Sequence, residues 1–203
     1  PLFIFLFVAM AFTAITEFGT TQWANVGLNS SGASGMLLLA LTTGVMAVGR
    51  YFGGPLVAKL GQTGVLLAGA VVATIGIYMF STVTGPMAYV AAIIFGLGVC
   101  YFWPVMIGAT AQRAPLTGAL GMSIIGGVGM FSNFIFNPIT GRWIDSARIA
   151  NEKLGLTGDA LELATGQETL QKMMMFPAIL IVLFTIFYFW QRGKNPDIAG
   201  AAH

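Results

Sequence analysis

Residues Gly49–Gly64 read GRYFGGPLVAKLGQTG. The stretch follows one long apolar run and precedes another, and its only charges are Arg50 and Lys59. A short, basic, Gly-rich link between two membrane-length segments is out of place in a water-soluble domain. It predicts a tight cytoplasmic turn joining two spanning helices.

The composition around it agrees. Of 203 residues, 57% are hydrophobic and 8% charged, against about 25% charged in an average soluble domain. So few charges cannot cover a water-facing surface, and an integral membrane protein is the class that fits. A net charge of +2 with no basic run gives no case for nucleic acid. The single cysteine, Cys100, excludes a disulfide framework or a paired-cysteine metal site within the chain, and no metal or cofactor site is predicted. The chain opens on Pro1 and is at once hydrophobic, without the n-region or cleavage site of a signal peptide. The expectation is a piece of a longer polypeptide.

Six continuously apolar segments predict six transmembrane helices, over residues 2–23, 35–55, 65–81, 87–108, 118–140 and 173–190. Each is close to the ~20 residues that cross ~30 Å of hydrocarbon. Arg50, Lys59, Arg113, Arg192 and Lys194 fall on one side of this plan, and the short links on the other side carry no Lys or Arg. The positive-inside rule makes that side, and both termini, cytoplasmic. Residues 142–172 hold most of the remaining charge and read as an outside loop, with a short surface helix over Thr157–Ala164. Shifting the second segment by 83 positions brings Gly35 onto Gly118, Pro55 onto Pro138 and Lys59 onto Arg142. That is the offset expected of two three-helix repeats, the second inverted in the membrane.

Glu17 is the only acidic residue inside a predicted span. At ~1.5 Å per residue it lies roughly 22 Å along the first helix, with Thr13, Thr20, Thr21 and Ala24 near its face. A carboxylate there costs several kcal/mol unless it protonates, pairs or meets water, and no Lys or Arg is expected at its depth. It reads either as a cavity carboxylate that binds solute or takes up a proton, or as a structural hydrogen-bonding residue. In the fourth segment Pro104 cannot donate to the carbonyl of Cys100, so a kink is expected there. Tyr101 and Trp103 beside it either face a cavity or fill space against lipid. In the fifth, Asn133 and Asn137 share a face and serve as solute contacts or as glue between helices.

The run Gly54-Pro55-Leu56-Val57-Ala58-Lys59-Leu60-Gly61-Gln62-Thr63 resembles the Gly-x-x-x-Asp-Arg/Lys-x-Gly-Arg-Arg/Lys loop of the major facilitator superfamily. Both glycines and the first basic residue are present; Ala58 stands at the acidic position, and Gln62 and Thr63 at the distal basic ones. Such erosion is usual in that superfamily's second half. FWPVM, followed by RAPLTGALGMSIIGGVGM, is similar to bacterial sugar or metabolite permeases of the same superfamily. The resemblance covers the whole chain as a C-terminal six-helix half. It implies a missing N-terminal half of the same polypeptide, a bacterial inner-membrane location, and alternating-access transport of a small polar solute, coupled to an ion or proton. It further implies that the first and fourth helices line the cavity while the third and sixth face lipid. Glu17, Thr21, Tyr101, Trp103, Asn133 and Asn137 would then bind solute or couple a proton, and Arg50, Gly54, Lys59 and Gly61 would form the cytoplasmic gating turn.

Two rival readings fit parts of the sequence. Gly32-Ala33-Ser34-Gly35 matches the Gly-x-Ser-Gly of intramembrane serine proteases, but the only histidine is His203, in a polar tail, so the serine lacks a base. An enzyme is therefore not expected. A multispan scaffold or assembly protein remains as the alternative; it would have no need of Glu17 in a polar face.

Overall fold

The computed structural model describes residues 2–27 and 32–192. Pro1, part of the first link, and the tail with Lys194 and His203 lie outside the described residues. Among those described there is no strand, and the chain is a bundle of helices. The first rod comprises α1 (Leu2–Ala14), a wider π turn (Ile15–Gly19) and α2 (Thr20–Gly27). It is followed by α3 (Gly35–Tyr51), α4 (Gly53–Phe80), α5 (Met87–Val99), α6 (Phe102–Arg113), a short 3-10 turn at Pro115–Thr117, α7 (Gly118–Lys153), α8 (Gly158–Met173) and α9 (Met175–Arg192). Five stretches are long and apolar enough to cross a membrane: Leu2–Ala24, Gly53–Phe80, Met87–Arg113, Pro115–Lys153 and Gly158–Trp190. Gly35–Tyr51 is apolar but shorter.

Cross-helix contacts fix the directions. Ser34 N–H donates to the Tyr89 hydroxyl at 3.0 Å, Gly96 lies against Thr42 and Val45, and Gly49 against Cys100, so α3 runs parallel to α5. α4 runs the other way: a Cβ on Gly98 would stand 2.4 Å from the backbone nitrogen of Ala73, and one on Gly76 2.6 Å from the Cα of Phe95. Only side chains this small let two helices approach so closely. The chain therefore reverses between α3 and the body of α4, and it does so at Gly61, whose φ of 68° and ψ of 163° suit glycine alone.

The turn expected over Gly49–Gly64 thus takes a different form. Phe52 interrupts the helix, Gly53 restarts it, and the reversal waits for Gly61. Arg50 precedes the reversal by more than two helical turns, so it does not belong to the turn itself. Arg113 does reach that end of the bundle: its guanidinium is 3.5 Å from the Thr63 hydroxyl and 4.9 Å from the centre of the Phe187 ring.

The largest departure concerns residues 142–172. α7 passes through Pro138 and continues to Lys153, so that its 36 residues extend ~54 Å. α8 starts one residue after Thr157, as expected, but runs on to Met173. This is a helical hairpin, not a loop. Arg148 pairs with Glu162 across it and with Glu152 one turn on, and Glu168 pairs with Lys172. Asn151 donates to Glu168 at 3.4 Å, and Gln167 to the carbonyl of Val83 at 3.2 Å, which ties the hairpin to the α4–α5 link. Its Ala, Leu and Glu content favours helix, and its charges meet at helical spacing.

Burial is uneven. α4 packs its small face on α5 and exposes Val71, Ile75 and Tyr78. α7 is the most open of the long rods, showing among others Leu120, Phe131, Phe134 and Ile135, while α3 shows Met36, Leu37 and Val48.

Candidate functional site

Two of the rods break at mid-length, and the site forms between the breaks. In the first rod, Thr13, Thr16 and Thr21 donate back to the carbonyls of Met10, Phe12 and Glu17 at 2.8, 2.8 and 2.6 Å. Such back-bonding loosens a helix. Here it flanks the π turn Ile15–Gly19, a wide turn of a kind that gathers at functional sites. Glu17 sits in that turn, only 5% exposed.

The second break lies at Cys100–Tyr101, midway along Met87–Arg113. Pro104 has no N–H for the Cys100 carbonyl. Arg50 supplies one instead, its Nε donating to that oxygen at 3.0 Å. An Nη of the same guanidinium is 3.9 Å from Glu17 Oε1. The carboxylate therefore has a cationic partner at its own depth, contrary to the sequence expectation. The sequence placed Arg50 in the turn; the break at Phe52 leaves it inside the bundle.

The pair opens onto a cleft of about 430 Å³. The first rod contributes Glu17, Phe18 and Thr21; α3 contributes Leu39, Thr42, Thr43, Met46 and Arg50. Trp103 and Met130 close it from α6 and α7. Trp103 meets Phe18 edge-on, with ring centres 5.7 Å apart, and packs so closely on α7 that a Cβ on Gly129 would stand 2.7 Å from its ring. Most of the wall is apolar. Two of its three threonines are self-satisfied, Thr21 on Glu17 and Thr42 on the Leu38 carbonyl at 2.9 Å. Glu17 Oε2 and Trp103 Nε1 are buried without a hydrogen-bond partner among the described residues.

Of the residues singled out from the sequence, Glu17, Thr21 and Trp103 meet in this cleft, and Arg50 joins them from the set expected in the turn. Tyr101 does not line it. Its hydroxyl donates to the Gly49 carbonyl, and its ring lies against Gly53, bracing the break between α3 and α4. Asn133 holds α7 to the first rod, donating to Ala14 O at 3.4 Å and Gly129 O at 3.3 Å. Ser132 does the same toward Ala11 at 3.3 Å. The Ala14 carbonyl immediately precedes the π turn, so Asn133 steadies the segment that carries Glu17. Asn137 is exposed on the open face of α7. Gly54 and Lys59 are exposed in the first turns of α4, and Gly61 makes the reversal. Ser34, the serine of the protease-like motif, caps α3 through the Leu37 N–H at 3.5 Å. Among the described residues no three of His, Cys, Asp and Glu gather closely enough to hold a metal ion.

What the sequence reading missed is the place of Arg50 beside Glu17. One signal could have found it: a proline-orphaned carbonyl and a lone carboxylate at similar depth both need a donor, and Arg50 is the charged residue nearest that depth. No protein-family model, curated protein or solved structure matches this chain.

Proposed function

We propose that this chain is the C-terminal six-helix half of a secondary active transporter of the major facilitator type. In this reading the whole carrier moves a small polar solute across a bacterial inner membrane by alternating access, with both termini of this half cytoplasmic. The observation that carries it is the Glu17–Arg50 pair at the edge of a cleft inside an apolar bundle. Intramembrane charge is expensive and is kept where it does something.

Two further features support the reading. The helix breaks recur at the offset of 83 that relates Gly35 to Gly118: Ile15–Gly19 maps onto residues 98–102, where the second break falls. The open apolar faces of α3 and α7 offer a seat for a second six-helix half. As a mechanism, the cleft opens to one side, solute enters beside Glu17, and the halves rock about it. A scaffold would have no use for a charged cleft.

The test is uptake by the full-length protein in proteoliposomes. Saturable solute accumulation that Glu17→Gln abolishes is the expected result. Accumulation unaffected by that change contradicts the assignment of Glu17. Saturable uptake by the six-helix chain as a monomer contradicts its being a half.

A further inference from the structure

Arg50 spends one of its five N–H groups on Cys100 O, and its closest approach to Glu17, 3.9 Å, is an ion contact without a hydrogen bond. The Nη edge therefore faces a cleft with donors to spare. That planar fork fits a carboxylate. The rest of the wall suits an apolar body: Leu39, Met46, Met130, Phe18 and Trp103. It offers a polyhydroxylated solute few partners: Thr21 and Thr42 have given their hydroxyl protons to their own helices and Asn133 is occupied at Ala14, which leaves the Thr43 hydroxyl and Trp103 Nε1 beside the charged pair. A site that selects a sugar needs a hydrogen-bond partner for each hydroxyl it desolvates.

Charge then sets the stoichiometry. With the cleft empty, Arg50 and Glu17 cancel. A carboxylate on Arg50 leaves two negative charges against one positive in a place where net charge is costly. One proton from water, bound at the unpartnered Oε2 of Glu17, restores neutrality, and on release the proton and the anion leave together. Among the described residues no other charge near Glu17 does this. Across α5 and α6 the titratable neighbours are the Cys100 thiol and the Tyr101 hydroxyl, the latter engaged on Gly49. α8 meets the π turn through Met173, and its Lys172 is held by Glu168 at 3.0 Å. α7 presents only the amide of Asn133 there. We infer that the cleft takes an organic monocarboxylate with an apolar body, its carboxylate on Arg50, and carries it with one proton on Glu17. This rests on the transporter reading above and names its substrate class.

The experiment uses the full-length carrier in proteoliposomes and two probe panels. One is a set of aryl and alkyl monocarboxylates led by mandelate, with mandelamide as the uncharged counterpart; the other is a set of hexoses led by glucose. A monocarboxylate should accumulate under an inward proton gradient and be indifferent to a potassium–valinomycin potential. Its amide should bind about tenfold more weakly or worse. Arg50→Gln should lose a similar factor and Arg50→Lys should recover part of it, since a lysine keeps the charge without the fork. Glu17→Gln should end proton-driven accumulation while bound monocarboxylate still stabilises the purified protein against heat.

Hexose accumulation without any monocarboxylate overturns the substrate class and leaves the transporter reading standing. Monocarboxylate uptake that follows the potential and ignores Glu17→Gln overturns the proton's place. Accumulation of nothing from either panel overturns the transporter reading and this inference together.

Discussion

Arg50 donates its Nε to the carbonyl of Cys100, the oxygen that Pro104 four residues on cannot serve. One side chain thereby satisfies the broken middle of Met87–Arg113 and stands beside the carboxylate in the broken middle of the first rod. Removing Arg50 leaves a buried acceptor and an uncompensated carboxylate. Because the Arg50 side chain is 44% exposed, the loss should be about 1–3 kcal/mol, below that of a fully buried pair. Thermal unfolding of Arg50→Ala in detergent measures it. Glu17→Gln should recover part of the loss, and Pro104→Ala should recover another part by returning a helical N–H to Cys100. If neither second change moves the midpoint, Arg50 does not link the two breaks.

The α4–α5 seam makes a second prediction. Gly98→Ala puts a methyl 2.4 Å from the backbone of Ala73, and backbone cannot step aside as a flexible side chain can. Overpacking of this kind costs about 1–3 kcal/mol. Gly126→Ala and Gly127→Ala, where nothing lies within 4 Å, should be neutral or slightly stabilising. Unfolding midpoints of the three variants side by side check the contrast.

Gly61 makes a third. At φ 68° and ψ 163° a side chain is strained whatever space surrounds it, at about 1–3 kcal/mol. Gly61→Ala should lower the unfolding midpoint, whereas Gly54→Ala, helical and unobstructed, should not. Equal effects would mean that the chain does not reverse at Gly61.

The charged hairpin makes a fourth. Arg148 and its partners Glu152 and Glu162 are all about half exposed, so Arg148→Ala should cost under about 1 kcal/mol, and the cost should shrink as salt is raised. A larger, salt-independent loss would show that the hairpin holds the bundle together through this charge.

How much of this was legible in the sequence differs by element. The apolar runs read true as helices because burial of backbone polar groups in an apolar setting leaves few other choices. Glu17 stood out because it was alone. Arg50 did not, because glycines around a cation look like a loop; the helix in fact restarts at Gly53, and Lys59 lies roughly 14 Å further along the chain at ~1.5 Å per residue. The hairpin of α7 and α8 was obscured by its charge, which reads as solvated loop until Arg148 is seen to pair with Glu152 at helical spacing and with Glu162 across the hairpin. Tyr101 and Asn133 were visible as polar groups in apolar helices. Their work on the Gly49 and Ala14 carbonyls depends on which neighbour each helix faces, and spacing along one chain segment does not contain that.

If the bundle spans a membrane as proposed, the cleft beside Glu17 and Arg50 should admit water. The most direct measurement is cysteine labelling of the full-length protein in membranes, in a Cys100→Ala background. Thr43→Cys, on the cleft wall, is compared with Ile75→Cys on the open apolar face of α4. The account predicts that a charged, membrane-impermeant thiol reagent modifies position 43 and spares position 75; a cysteine at 43 as inert as one at 75, in the presence and absence of solute, would contradict it.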